Sequence, residues 1–280
     1  MLNESAGRPP RWLPPLQLDG CSQMAIDRAL LEASLALPGG APALRLYRWN
    51  RPTLSLGRHQ RSLPRPWLEL AEKGVIDLVR RPSGGRAVLH GGDLTYALIW
   101  PAAPARRQLA YGLACGWLCR AFAGLGQPLR FGRQAPSRDR ESCFATSTSA
   151  DLVHRDGAKR IGSAQFWQGG TLLQHGSIQI DPPRDLWLHL FGEVPPQLPP
   201  LPLAGAHLEQ HLRRCAEDHL PLGGWTRHSR HGREAGLAWE ERPLQAEEWR
   251  RIEQRRGDHA LGPGPEPLEP GSEPAPTDRA

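Results

Sequence analysis

Three short stretches hold the residue types that chemistry needs. The first is Arg80-Arg81-Pro82-Ser83-Gly84-Gly85-Arg86-Ala87-Val88-Leu89-His90, with guanidiniums and a glycine pair between apolar runs. Glycines let backbone N–H groups approach a ligand closely, and arginines hold a phosphate or carboxylate. The second is Gly157-Ala158-Lys159-Arg160-Ile161-Gly162-Ser163-Ala164-Gln165, and the third is Leu173-Gln174-His175-Gly176-Ser177-Ile178. Small residues interrupt both, the pattern left where a ligand approaches a strand. Taken singly, each has a structural explanation: a turn, a solvated lysine, a core histidine. Lys159 stands out by composition. Of 35 basic residues only Lys73 and Lys159 are lysines. A coding bias toward Arg explains the excess, and a lysine that survives it draws interest, because Arg cannot replace Lys where a compact ammonium must approach a reacting atom; this points at Lys159.

Around these stretches the hydrophobic period alternates between helix and strand. It predicts helices over residues 22–36, 67–73, 107–124, 206–219 and 246–256, the first capped by Ser22. Strands are predicted at 44–49 and 53–57, joined as a hairpin by Asn50-Arg51-Pro52. Others follow at 75–80, 87–90, 94–100, 151–154, 159–167 and 171–180, with Arg155-Asp156-Gly157-Ala158 as the turn before Lys159. The expected fold class is α/β (α+β): a mixed, largely antiparallel sheet flanked by helices. The expected boundaries are an irregular, Pro-rich segment 1–20, one catalytic domain over 21–256 with its motif core at about 40–220, and a disordered Pro-rich tail 257–280.

The three stretches in this order resemble the biotin and lipoate protein ligase superfamily, and within it the lipoyl branch of lipoate–protein ligases and cysteine-dependent octanoyltransferases. MAIDRALLEAS resembles the family's N-terminal helix and LYRWNRPTLSLGRHQ its first hairpin, so the likeness covers roughly residues 20–200. The resemblance implies a catalytic domain of the class II biotin/lipoate ligase type. It also implies a nucleophile, Cys143 in Glu141-Ser142-Cys143-Phe144, paired with Lys159. An ammonium beside a thiol favours the thiolate that attacks a thioester, and it stabilises the developing oxyanion. The spacing from Cys143 to Lys159 is one residue longer than in related enzymes, and the extra residue is expected in the Arg155–Ala158 turn. Arg80, Arg81, Ser83, Gly84, Gly85, Ala87, His90, Gly162, Ser163, Ala164, Gln165, His175 and Gly176 are implied to shape the acyl and acceptor sites.

The leading expectation is octanoyl transfer from acyl carrier protein, through a Cys143 thioester, to a lysine of a lipoyl domain or glycine-cleavage H protein. No cofactor is needed, because thioester exchange is nearly isoenergetic. Gly-Gly-Arg in place of a third glycine also resembles the transferase pattern. The alternative is an ATP- and Mg-dependent lipoate–protein ligase, in which Arg81 and the glycine loop hold phosphate and Cys143 is incidental. Residues 205–256 leave room for two helices, not for the accessory domain many ligases carry. A third reading is a non-catalytic carrier- or acyl-binding member.

Composition bounds the rest. The 280 residues carry a net charge of +6, which suits acidic carrier proteins. The arginines are dispersed without an aromatic-interleaved stripe, which argues against nucleic acid. No apolar run approaches the ~20 residues of a membrane span, and residues 1–20 hold no continuous apolar run, so a secretory signal is not expected. Five cysteines without regular spacing argue against a disulfide framework and for a cytoplasmic protein. Cys115 and Cys119 stand at i, i+4 without other ligand types, so they are expected as small core residues and not as a metal pair.

Overall fold

The computed structural model describes residues 8–133, 142–145, 148, 150–222, 227–228, 234–235 and 239–261. In chain order the elements are β1 (Arg11–Leu18), α1 (Gly20–Leu35), β2 (Ala43–Trp49), β3 (Thr53–Leu56), α2 (Arg65–Glu72), β4 (Asp77–Arg80), β5 (Val88–His90), β6 (Asp93–Trp100), α3 (Arg107–Gly124) and β7 (Arg130–Phe131). Then come β8 (Asp151–Val153), β9 (Lys159–Gln168), β10 (Thr171–Gln179), α4 (Arg184–Phe191), α5 (Gly205–His219), the short pair β11 (Arg227–His228) and β12 (Glu234–Ala235), β13 (Glu240–Glu241) and α6 (Ala246–Arg255). An eight-stranded sheet runs β13-β1-β2-β6-β10-β9-β8-β7, and a three-stranded sheet runs β4-β3-β5. The large sheet is parallel at β13-β1-β2 and antiparallel elsewhere.

Both faces of the central strands are covered, so β6 and β10 are buried along their length. Leu94, Tyr96, Leu98 and Trp100 alternate to one side and pack with α3 and α5. Ala97 and Ile99 face the other side and pack with α1 and Ile252 of α6. The small sheet forms a third core with Trp67 and Ala71 of α2 and Trp187 and Leu190 of α4.

Several expectations change. Residues 11–18 are not irregular: they form β1, held between β2 and β13. The register slips between Leu13 and Leu16, where Pro14 and Pro15 lack the N–H a ladder needs, so the strand carries its prolines in a bulge. Helix α1 starts at Gly20, and its cap is Asp19, which accepts from Ser22 N at 3.0 Å. The expected hairpin of β2 and β3 does not form. β3 leaves for the small sheet, pairing with β4 and β5. A helix, α4, follows Pro182-Pro183 in a segment for which no element was predicted. Prolines suit the approach to a first helical turn. The folded chain also passes residue 257: Arg256–His259 form a 3-10 turn and Ala260 bridges Val79 of β4. Residues 262–280 of the expected tail lie outside the described residues.

One buried ion pair docks α1 onto the sheet. Arg45 of β2 donates to Asp27 Oδ1 (2.9 Å from Nε) and to the side-chain and main-chain oxygens of Gln23 (2.7 and 2.6 Å). Both charged side chains are essentially without solvent. Removing one partner strands the other, so Asp27→Ala is expected to cost about 3–5 kcal/mol, much of it recovered in Asp27→Leu/Arg45→Met. Urea denaturation measures both. Equal loss in the single and double variants would show that the pair does not set the docking.

Candidate functional site

Cys143 begins a single 3-10 turn, Cys143–Ala145. The preceding residue, Ser142, bridges Ala87 in parallel, and Cys143 N donates to Ala87 O at 2.9 Å. Phe144 N donates to Ser142 Oγ at 3.1 Å, and the Phe144 ring packs edge-on against Trp187. The cysteine is therefore pinned to the end of the glycine loop. The glycine loop in turn is organised from within. Arg81, buried, donates to Ser55 O (2.7 Å), Gly84 O (2.8 Å) and Arg86 O (2.6 Å). Gly85 has φ +94, and a Cβ at Gly57 would lie 2.0 Å from Gly85 O, so this crossing of two loops demands glycine.

Lys159 opens β9. Along β8, Leu152 faces Ile161 but Val153 faces Lys159, so Arg160 is a surplus residue in a bulge. Arg160 follows Lys159, so this bulge lies outside the Cys143–Lys159 interval and is separate from the extra residue expected in the Arg155–Ala158 turn. The bulge decides the facing of the lysine. In an unbroken strand Lys159 would share a face with Ile161. Here it shares one with Gly162, where a Cβ would sit 3.0 Å from Lys159 Cε. Arg160 turns the other way, donating to His154 Nε2 (2.9 Å) and Gln179 O (2.8 Å).

The lysine is 2% exposed. Its Nζ donates to Cys143 O at 2.7 Å, lies 3.5 Å from Cys143 Sγ and pairs with Asp151 Oδ1 at 3.0 Å. It also stands 4.8 Å from the Phe144 ring centroid. Asp151 is fixed by Thr148, whose N–H and hydroxyl donate to Oδ2 at 2.7 and 3.0 Å.

Two spaces meet at the thiol. A small cavity of ≈ 60 Å³ is walled by Met24, Trp49, Val88, His90, His175 and Gly176 among others. An open groove of ≈ 780 Å³ runs past His59, Arg61, Arg86, Tyr111, Asp151 and Lys159. Cys143, Gly85, Ser163 and Ala164 line both. A thiol and an ammonium at such a junction can receive an acyl chain from one side and a carrier from the other.

Residues 19–194 match the family model described as the Lipoyl protein ligase A/B catalytic domain. The chain belongs to that family. Octanoyltransferase LipM of Halalkalibacterium halodurans is 36% identical over 188 residues, which cover 62% of this chain and 67% of the relative. Octanoyltransferase LipM of Bacillus subtilis is 36% identical over 182 residues, covering 60% and 64%. The matched part thus spans about two thirds of these relatives. Among solved structures, protein Ta0514 of T. acidophilum with bound lipoic acid aligns at TM-score 0.66 and 18% identity, over 88% of this chain and 94% of that one. Lipoate-protein ligase A bound with ATP aligns at 0.67 and 17%, over 89% and 94%. At such identities they show a shared fold.

Within this lipoyl ligase-family domain, the sequence-predicted residues do not all play the expected part. Arg81, Gly85, His90, Gly162, Ser163, Ala164, His175 and Gly176 line the cavity, and Gly84 and Gln165 line the groove. Arg80 does neither: it points to the far side of its loop and donates to Gly57 O and Gln60 O. Ser83 and Ala87 act through their neighbours. Ser83 Oγ bonds His175 Nε2 at 2.5 Å, and Ala87 holds Cys143 through its carbonyl. Cys115 is buried under Gln174, and burial pushes its thiol up to about 11.

Sequence reasoning missed the carboxylates. His175 Nδ1 donates to Asp27 Oδ2 at 3.1 Å, and His90 Nδ1 donates to Asp93 Oδ2 at 2.8 Å. His90 Nε2 meets Ser55 Oγ at 2.8 Å. The cavity is thus flanked by two carboxylate–imidazole–hydroxyl chains, Asp27–His175–Ser83 and Asp93–His90–Ser55. A signal existed for Asp27, a charge on the apolar face of a predicted helix. Asp93 and Asp151 gave none beyond turn and strand-start chemistry.

Burial pushes His175 below its ordinary value and outweighs the pull of Asp27. Burial alone would raise Asp27, but Arg45 and then His175 overcome it and hold the carboxyl low. His154 is likewise lowered, by burial and then Arg160. The unfolded chain therefore takes up protons at His175 and His154 near pH 6.5 that the folded chain refuses. Stability is expected to fall as pH drops through that value, flatten below the lowered folded values, and fall again below pH 3.8 as Asp27 is protonated. Urea midpoints from pH 8 to about 3 test this, and a flat profile between pH 7 and 5 would refute it. A separate expectation concerns Lys159→Met, which removes the charge beside the thiol. Site-resolved alkylation of Cys143 at neutral pH should slow about 5-fold or more. An unchanged rate would separate the two groups electrostatically.

Proposed function

We propose that this chain is a cysteine-dependent octanoyltransferase of protein lipoylation. The single observation that carries the reading is the 3.5 Å approach of Lys159 Nζ to Cys143 Sγ beside the cavity walled by Gly162, Ala164 and Gly176. The likeness to two octanoyltransferases named LipM supports it. The donor is octanoyl-acyl carrier protein. The Cys143 thiolate attacks the thioester carbonyl, a new S–C bond forms, and the carrier's C–S bond breaks. The departing thiolate takes a proton from solvent. The ammonium of Lys159 faces the oxyanion that develops at this carbon. In the second half, the neutral amine of an acceptor lysine, on a lipoyl domain or glycine-cleavage H protein, attacks the acyl-enzyme. A C–N bond forms, the S–C bond to Cys143 breaks, and the amine's proton leaves with solvent.

The octanoyl chain lies in the cavity, where Gly162, Ala164 and Gly176 keep the wall thin. Gly176 is the tightest point, since a Cβ there would meet Tyr96 Cε1 at 2.5 Å and Ser163 Oγ at 2.8 Å. No cofactor takes part. The adenylating alternative gives Arg81 a phosphate to hold, but the donors of Arg81 are directed at the carbonyls of its own loop and of Ser55. That arrangement favours a structural role for Arg81.

Incubation with octanoyl-acyl carrier protein without ATP, followed by intact mass, tests the proposal. A gain of one octanoyl group is expected, lost in Cys143→Ser and formed about 10²–10³-fold more slowly in Lys159→Met. Acylation of a lipoyl domain that requires ATP and free lipoate, and that survives Cys143→Ser, would replace this reading with ligation.

A further inference from the structure

The β9 face that carries Gly162 and Ala164 past the thiol continues to Phe166 and Gln168. These two line a separate groove of ≈ 490 Å³ on the other side of the Arg81-Pro82 loop. Its rim is cationic: Arg28 of α1, Arg58 after β3, Arg80 at the end of β4 and Arg255 of α6, against Asp258. The guanidiniums of Arg28 and Arg58 stand 5.9 and 5.8 Å from the Phe166 ring centroid. Arg28 and Arg255 share one carboxylate, Glu32, just outside the groove. Arg80 bonds backbone carbonyls, which leave its charge in place. Arg58 is exposed and has no carboxylate partner among the described residues. Neither Cys143 nor Lys159 lines this groove, so the chemistry does not explain its charge.

We propose that this groove docks the acidic face of the protein that delivers the octanoyl thioester. The inference rests on the acyl-transfer reading and assigns its donor a place. Charge complementarity selects an acidic partner. Distance selects the donor over the acceptor. Four residues of β9 from Gly162 to Phe166 span about 13 Å. A lysine side chain reaches only about 6 Å by its bond lengths, whereas a thioester carried on a pantetheine arm is long enough to cross. The C-terminal segment then has a role as well, since Arg255 and Asp258 complete the rim.

The test compares two donors on the full chain: octanoyl-acyl carrier protein and octanoyl-pantetheine, which has neither phosphate nor protein. Arg58→Glu is expected to raise the half-saturating carrier concentration for Cys143 acylation about 10-fold and to flatten its salt dependence. Arg58→Ala is expected to fall between this variant and the unaltered protein. The saturating rate, and acylation by octanoyl-pantetheine, should not change. An equal effect on both donors, no effect on the carrier, or an effect confined to the lipoyl-domain acceptor would overturn the assignment. ATP binding that depends on Arg58 without any effect on the carrier would also overturn it. Failure of both donors to acylate the unaltered protein would instead remove the acyl-transfer reading beneath it.

Discussion

A lysine ammonium at 2% exposure must replace its lost water with fixed partners, and most of the local architecture supplies them. Lys159 finds the Cys143 carbonyl and the Asp151 carboxylate within 3.0 Å. The carbonyl is available only because the 3-10 turn at Cys143 is tied to Ala87. The carboxylate is aimed only because Thr148 holds its second oxygen. The ammonium itself faces the turn only because β9 bulges at Arg160. Remove the bulge and the period of the strand sends Lys159 to the other side of the sheet. Asp151 and the Cys143 sulfur thus face the same ammonium, at 3.0 and 3.5 Å. Arg61 and Arg86 in the adjoining groove add positive potential from the solvent side.

The cavity beneath the thiol is an unusual container for an alkyl chain, because two buried imidazoles and several hydroxyls border it. Both imidazoles are spoken for. Each gives its Nδ1 proton to a buried aspartate and turns Nε2 to a serine hydroxyl, so neither offers a bare polar atom to the chain. His90 also stacks on Trp49 with ring centroids 3.9 Å apart, which presents a flat aromatic face. Asp93 is saturated in the same way, taking bonds from Ser177 and Thr95 besides His90. Satisfied polar networks of this kind fix loop geometry without adding hydration. Through Ser83 and Ser55 they grip both loops that carry the glycine crossing.

Most of the fold was legible because its helices and strands keep a clean period. α3 and the β9–β10 hairpin are clear in apolar spacing alone. The pairing of Cys143 with Lys159 was legible only through the resemblance of three ordered motifs, since neither residue carries a local signal. What escaped were features set by tertiary partners. β1 escaped because Pro14 and Pro15 look like breakers, and only a neighbouring strand on each side makes a proline bulge tolerable. The β2–β3 hairpin was wrongly expected because a turn sequence fixes a reversal of direction but not which sheet receives the next strand. The bulge at Arg160 escaped because the segment keeps an uninterrupted strand composition, and only the register against β8 reveals the surplus residue. Asp27, Asp93 and Asp151 escaped because a buried carboxylate is recognised by its partners, and those lie 18, 3 and 8 positions away in the chain.

The position of the thiol constrains the order of events on the proposed chemistry. Cys143 lies where the cavity meets the groove, and Gly85, Ser163 and Ala164 form the same rim for both. An acyl chain seated in the cavity has its carbonyl at that rim. The acceptor amine reaches that carbonyl from the groove bordered by Asp151 and Tyr111, while the donor arm crosses the Gly162–Phe166 face of β9. On the proposed chemistry the donor arm leaves before the acceptor lysine attacks, and the acyl group stays on the enzyme in between. A covalent thioester that keeps the chain buried is the state that survives this wait. The partners that hold Lys159 beside the thiol, the Cys143 carbonyl and the Asp151 carboxylate, belong to the chain itself and to neither carrier.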